Sequence, residues 1–93
     1  MYMNKLSSRR VGLAVGLTAA GVHALWAFLM AVMPEQVGRF LAWDMQVHFV
    51  SMPFQILPFA LGTAVELVLL AFVVGFGIGA LFACAYNWAT NRL

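Results

Sequence analysis

Five ionisable or soft side chains stand out because an otherwise apolar chain gives them little reason to be there: His23, Asp44, His48, Glu66 and Cys84. His23 and Glu66 each interrupt a long apolar run. A group that can ionise is expensive inside a bilayer and is expected to face protein rather than lipid. A histidine in that setting has two uses: hydrogen bonding to a carbonyl or hydroxyl across a helix pair, or ligating a metal or a tetrapyrrole. Glu66 is read in the same way, as an intramembrane polar contact at a helix interface, with a proton or ion path as the alternative. Met45, His48 and Met52 fall at i, i+3 and i+7, and mixed thioether and imidazole donors suit Cu(I). The bland reading of that stripe is packed or lipid-facing surface. Asp44, one helical turn before His48, would orient the imidazole or form a local pair with it.

Other chemistry is missing. Cys84 has no second cysteine to pair with and no basic neighbour in sequence, so a structural role is expected. Gly75, Gly77 and Gly79 lie inside an apolar run and not in a phosphate-cradling loop. No nucleophile, base and orienting acid can be assembled, so we expect no catalytic residues and no enzyme.

These residues must be positioned by helices. The chain has 93 residues, of which 65% are hydrophobic and 9% charged. A soluble domain carries roughly one quarter charged residues, so lipid is the expected solvent. The formal charge of +2 arises from a cluster at Lys5, Arg9 and Arg10, and no basic groove interleaved with aromatics suggests nucleic acid. Residues 11–33 and 57–88 form two apolar runs, each long enough to cross a bilayer core of roughly 20 residues. The first follows a basic segment as a signal peptide would, but its length predicts a retained span.

Both runs carry small residues every fourth position: Gly12, Gly16, Ala20 and Ala24 in the first, Ala71, Gly75, Gly79 and Ala83 in the second. Small residues let helix backbones approach closely. The two stripes predict an all-α membrane protein, an antiparallel two-helix transmembrane hairpin in one structural unit. At about 100° per residue His23 falls within about 20° of Gly12 and Gly16, whereas Glu66 points about 140° away from Ala71. Glu66 is therefore expected to face a second copy or another subunit.

Residues 34–56 connect the spans. Pro34, Glu35 and Gln36 make a helix start, and the pattern that follows separates Glu35, Arg39 and Gln46 from Val37, Phe40, Leu41, Asp44, His48 and Met52. This predicts an amphipathic helix in the membrane interface with Trp43 near its rim, followed by an extended link between Pro53 and Pro58. The basic segment at 1–10, with Tyr2 at headgroup level, places the N-terminus in the cytoplasm, and the polar tail at 89–93 returns there.

The stretch Ala19, His23 and Trp26 resembles the Ala-x3-His segment of bacterial light-harvesting polypeptides, which implies bacteriochlorophyll or, by the same donor chemistry, haem at His23. Over nearly its whole length the chain resembles a bacterial family of small two-helix integral membrane proteins catalogued as a domain of unknown function. The resemblance is carried by Ala31-Val32-Met33-Pro34-Glu35, the connector through Phe40, Leu41 and His48, the approach from Pro53 to Gly62, and the close through Gly79-Ala80-Leu81-Phe82-Ala83 to Ala85-Tyr86-Asn87-Trp88. Where similar proteins read Phe-His-Gly, this chain reads Val47-His48-Phe49. The resemblance implies an integral protein of the bacterial inner membrane, near heavy-metal transport functions. The expected role is an accessory subunit in a larger membrane complex or a homo-oligomer, without a resident cofactor. The alternative is a binding module using His23 for a tetrapyrrole, or Met45, His48 and Met52 for copper.

Overall fold

A computed structural model describes residues 5–92, with the side chain of Arg92 excepted; Tyr2 and the end of the tail at Leu93 lie outside the described residues. Among the described residues there are three helices and no strand: α1 (Ser8–Val32), α2 (Pro34–Val47) and α3 (Leu61–Arg92). Ser8–Val32 and Leu61–Asn91 are long and apolar enough to cross a membrane. The molecule measures 53 × 33 × 16 Å, a slab one helix pair thick.

Helix α1 begins one turn before the apolar run, because the Ser7 hydroxyl caps it by accepting from the Arg10 N–H at 3.3 Å. The cap satisfies one of the donors that a helix start leaves open. Met33 leaves helical geometry, with φ −147° and ψ 59°. Pro34 then opens α2, at the position where its missing N–H costs nothing.

Helix α2 is shorter than the apolar pattern to Met52 suggests. It stops at Val47, and His48 is its C-cap. Phe49 then takes φ 62°, its N–H donates to the Gln46 carbonyl at 3.0 Å, and the Val50 N–H donates to the Met45 carbonyl at 2.9 Å. This paired closure is the Schellman arrangement, in which a left-handed residue ends the helix. Val37 is the buried contact of α2, and Ile56 of the following link covers Gly38.

The second long helix starts at Leu61 rather than Leu57. Pro58 supplies no N–H and disfavours helical backbone in Leu57, and the helical hydrogen bond that opens α3 runs from the Ala64 N–H to the Ala60 carbonyl at 3.0 Å. At 1.5 Å per residue α3 is about 48 Å long, which exceeds a bilayer core of about 30 Å.

Helices α1 and α3 pack directly on each other. A Cβ placed on Gly79 would lie 2.7 Å from the Val11 carbonyl oxygen and 2.9 Å from Gly12 Cα. On Gly75 it would lie 2.9 Å from Ala19 Cβ and 3.0 Å from Gly16 Cα. Across from them the Phe76 and Phe72 rings and carbonyls close over Gly12 and Gly16, leaving room for hydrogen alone. Contact positions rise along α1 as they fall along α3. Ala71, Gly75, Gly79 and Ala83 are all buried, and Ala83 has no exposed surface.

The stripe on α1 behaves differently. Gly12 and Gly16 are buried, Ala20 is half-buried and Ala24 is exposed. Steps of four residues advance about 400° around a helix of 3.6 residues per turn, so the row drifts about 40° per step. By Ala24 it has rotated off the contact, and His23, Trp26 and Ala27 carry the half-buried face instead.

Candidate functional site

Polar side chains are engaged at three levels of the molecule. At the level where α1 begins, the chain leading into it is fastened to α3. Asn87 Oδ1 accepts from the Leu6 N–H at 2.8 Å, and Asn87 Nδ2 donates to the Leu6 carbonyl at 2.8 Å. One amide thereby satisfies both backbone groups of one residue, as a neighbouring strand would. A turn earlier on α3, Ser8 Oγ lies 3.4 Å from Cys84 Sγ. Cys84 is thus in contact with the start of α1, which its own helix does not suggest, and a hydroxyl beside a thiol supplies no base. Sequence reasoning met Asn87 within the closing segment Ala85-Tyr86-Asn87-Trp88 and missed this clamp. The signal available was an amide one turn short of the end of an apolar helix, where a side-chain pair with a second segment competes with solvent.

Midway along α1, His23 is half-buried and its Nδ1 lies 2.8 Å from the Ala19 carbonyl oxygen. A carbonyl can only accept, so in the neutral ring Nδ1 carries the hydrogen and Nε2 keeps a lone pair. The bond is within α1 and not across the helix pair. Continuing the register of Gly12 with Gly79 and Gly16 with Gly75, His23 stands level with Val68 and Glu66 with Leu25, about 3 Å apart along the axis. The two share a level without bonding to each other: Glu66 is exposed, and it has no hydrogen bond or ion pair among the described residues. With α3 starting at Leu61, Glu66 lies about 8 Å from the start of its helix, closer to that end than a helix from Leu57 implies.

At the connector, His48 repeats the local arrangement of His23. Its Nδ1 is 2.7 Å from the Asp44 carbonyl oxygen and 3.5 Å from Asp44 Oδ1. The His48 side chain is 69% exposed and that of Asp44 44%, and a surface pair of that kind contributes little stability. The copper stripe does not form as a helical face: Met45 and His48 are at the end of α2, while Met52 follows the Phe49 reversal and is outside the helix. Among the described residues no three of His, Cys, Asp and Glu come together as metal ligands.

Toward the connector, residues of α1, of the link ahead of α3 and of the first turns of α3 line two grooves together. A groove of about 310 Å³ is lined by Trp26, Met30, Leu57, Pro58 and Thr63. A second, of about 360 Å³, is lined by Ala24, Phe28, Phe59, Val65 and Leu69. The first is mainly apolar and the second almost wholly so, and His23 and Glu66 line neither. No family model, curated protein or solved structure matches the chain.

Proposed function

We infer that the protein is a small non-catalytic subunit of a membrane assembly, packing within a larger complex or against copies of itself. In this reading α1 and α3 form an antiparallel transmembrane hairpin in a bacterial inner membrane, α2 lies in the outer interface, and both termini are cytoplasmic. The observation that carries it is Glu66, an exposed carboxyl in an apolar helix with no partner among the described residues. Around it α3 exposes Val65, Leu69, Leu70 and Val73. A face that apolar can rest against lipid, but a carboxyl on it is stabilised by a donor from another chain. Close packing through Gly75 and Gly79 consumes the small-residue face and leaves this one for assembly.

A second reading is supported by His23. Nδ1 anchored on a backbone carbonyl leaves Nε2 as the donor atom, the arrangement seen in histidines that ligate metals. A ligand there would be a haem or chlorin contacting α1, with the rest of its pocket from another chain.

Purification from the native membrane in mild detergent, with an absorption spectrum, metal analysis and mass spectrometry of accompanying chains, separates the readings. Stoichiometric copurification without pigment supports the subunit. A lone monomer overturns it, and a coloured preparation whose Soret or chlorin band is lost in His23→Ala favours the ligand.

A further inference from the structure

We propose that Lys5, Arg9 and Arg10 form a docking surface for the phosphate of an anionic lipid headgroup, held in shape by the Asn87 clamp; the proposal rests on the membrane reading above. The three side chains are exposed. The acidic side chains of the protein are Glu35, Asp44 and Glu66, and Glu66 is about 31 Å from Asn87 along α3 at 1.5 Å per residue. That exceeds the roughly 8 Å over which charges act at physiological salt, so Glu66 does not neutralise the cluster, and Glu35 and Asp44 lie in α2, which follows the far end of the 25-residue α1.

The cations are also poorly placed for the helix that carries them. Arg9 and Arg10 sit in the first turn of α1, which has no acidic residue, and a helix start favours negative charge. An external anion resolves the mismatch, and in a membrane protein the anion available at this level is a headgroup. Trp88, 63% exposed one residue beyond Asn87, is the type of side chain that sits among headgroups.

A cluster that served only to orient the chain would need charge and no fixed geometry. Here geometry is fixed. The two Asn87 bonds hold the backbone of Leu6, next to Lys5. The Ser7 cap holds the N–H of Arg10, and Ser8 is in contact with Cys84. Every residue from Leu6 to Ser8 is thereby tied to α3 or to the helix start, so the cations on either side are presented on a built surface.

The test uses the full chain in mild detergent, with native mass spectrometry of bound phosphatidylglycerol and phosphatidylcholine. Wild type is expected to retain phosphatidylglycerol selectively, and Lys5→Gln, Arg9→Gln and Arg10→Gln each to weaken it about fivefold, while Arg39→Gln in α2 leaves it unchanged. Asn87→Ala removes no charge and is expected to weaken it as well. Equal retention of the two lipids, or a triple neutralised variant that binds like Arg39→Gln, overturns the surface. Wild-type affinity in Asn87→Ala overturns the fixed geometry in favour of loose attraction. Insertion into vesicles of each lipid is measured alongside: a chain that enters neither overturns the membrane reading itself, whereas one that enters both without selective retention overturns the headgroup surface alone.

Discussion

Asn87 binds both backbone groups of Leu6, 81 positions away in sequence, at 2.8 Å each. The pair closes the molecule at the end opposite the connector, where α1 has not yet begun and α3 has nearly finished. Asn87→Ala is expected to release the segment while leaving both helices formed. At about 1 kcal/mol net per hydrogen bond, exchange of the Leu6 amide should accelerate on the order of tenfold or more. Asn87→Asp keeps the acceptor for the Leu6 N–H and loses the donor to its carbonyl, so it should fall between the two. Hydrogen exchange read at Leu6 decides the matter, and unchanged protection in Asn87→Ala would remove the clamp.

Gly79 and Gly77 are two residues apart and should respond oppositely to the same change. A Cβ on Gly79 meets the Val11 carbonyl oxygen at 2.7 Å and Gly12 Cα at 2.9 Å, both backbone atoms that cannot rotate away, whereas one on Gly77 meets nothing within 4 Å. Gly79→Ala should force the helices apart at a cost of about 1–3 kcal/mol. Gly77→Ala should be neutral or stabilise by up to about 1 kcal/mol through helix propensity. Unfolding titrations in a denaturing detergent rank the two, and equal midpoints would remove close packing as the source of stability.

The same residues show what can be read from sequence and what cannot. Small side chains every fourth position mark where backbones can approach, and on α3 that row is the buried one, from Ala71 to Ala83. Where the contact ends depends on how far the helices stay together, which spacing alone does not encode; Ala24 continues the row on α1 and is exposed. Two long apolar helices follow from composition and run length. The stop of α2 does not, because the apolar pattern runs on to Met52 and Phe49 is a residue rarely found at φ 62°. The Asn87 clamp was illegible for another reason: an amide can bond water, its own helix or another segment, and only tertiary placement chooses.

Phe49 should reverse the usual order of glycine and alanine. In a helix interior alanine is preferred, but here the backbone is left-handed and the ring is 97% exposed, so removing it loses no packing within the chain. Phe49→Gly should relieve about 1 kcal/mol of backbone strain that Phe49→Ala retains. The readout is exchange of the Val50 amide, which closes the end of α2 on the Met45 carbonyl. Stronger protection in the glycine variant is expected, and stronger protection in the alanine variant would mean that the left-handed cap does not form.

Glu66 offers the most direct test of assembly. It is exposed on α3 beside Val65 and Leu69, and it lacks a partner among the described residues. If another chain supplies its donor, Glu66→Leu removes an interhelical hydrogen bond worth about 1–2 kcal/mol, and association should weaken by roughly tenfold. Glu66→Gln keeps a side chain of the same shape that can still accept, so it should associate nearly as well as wild type. Crosslinking in native membranes, scored by the fraction of chain recovered in the larger species, reads both variants. Loss in Leu with retention in Gln identifies a hydrogen bond; loss in both requires the carboxylate itself, paired with a cation of the partner. Wild-type recovery with Leu would detach Glu66 from assembly and leave the exposed face of α3 to lipid.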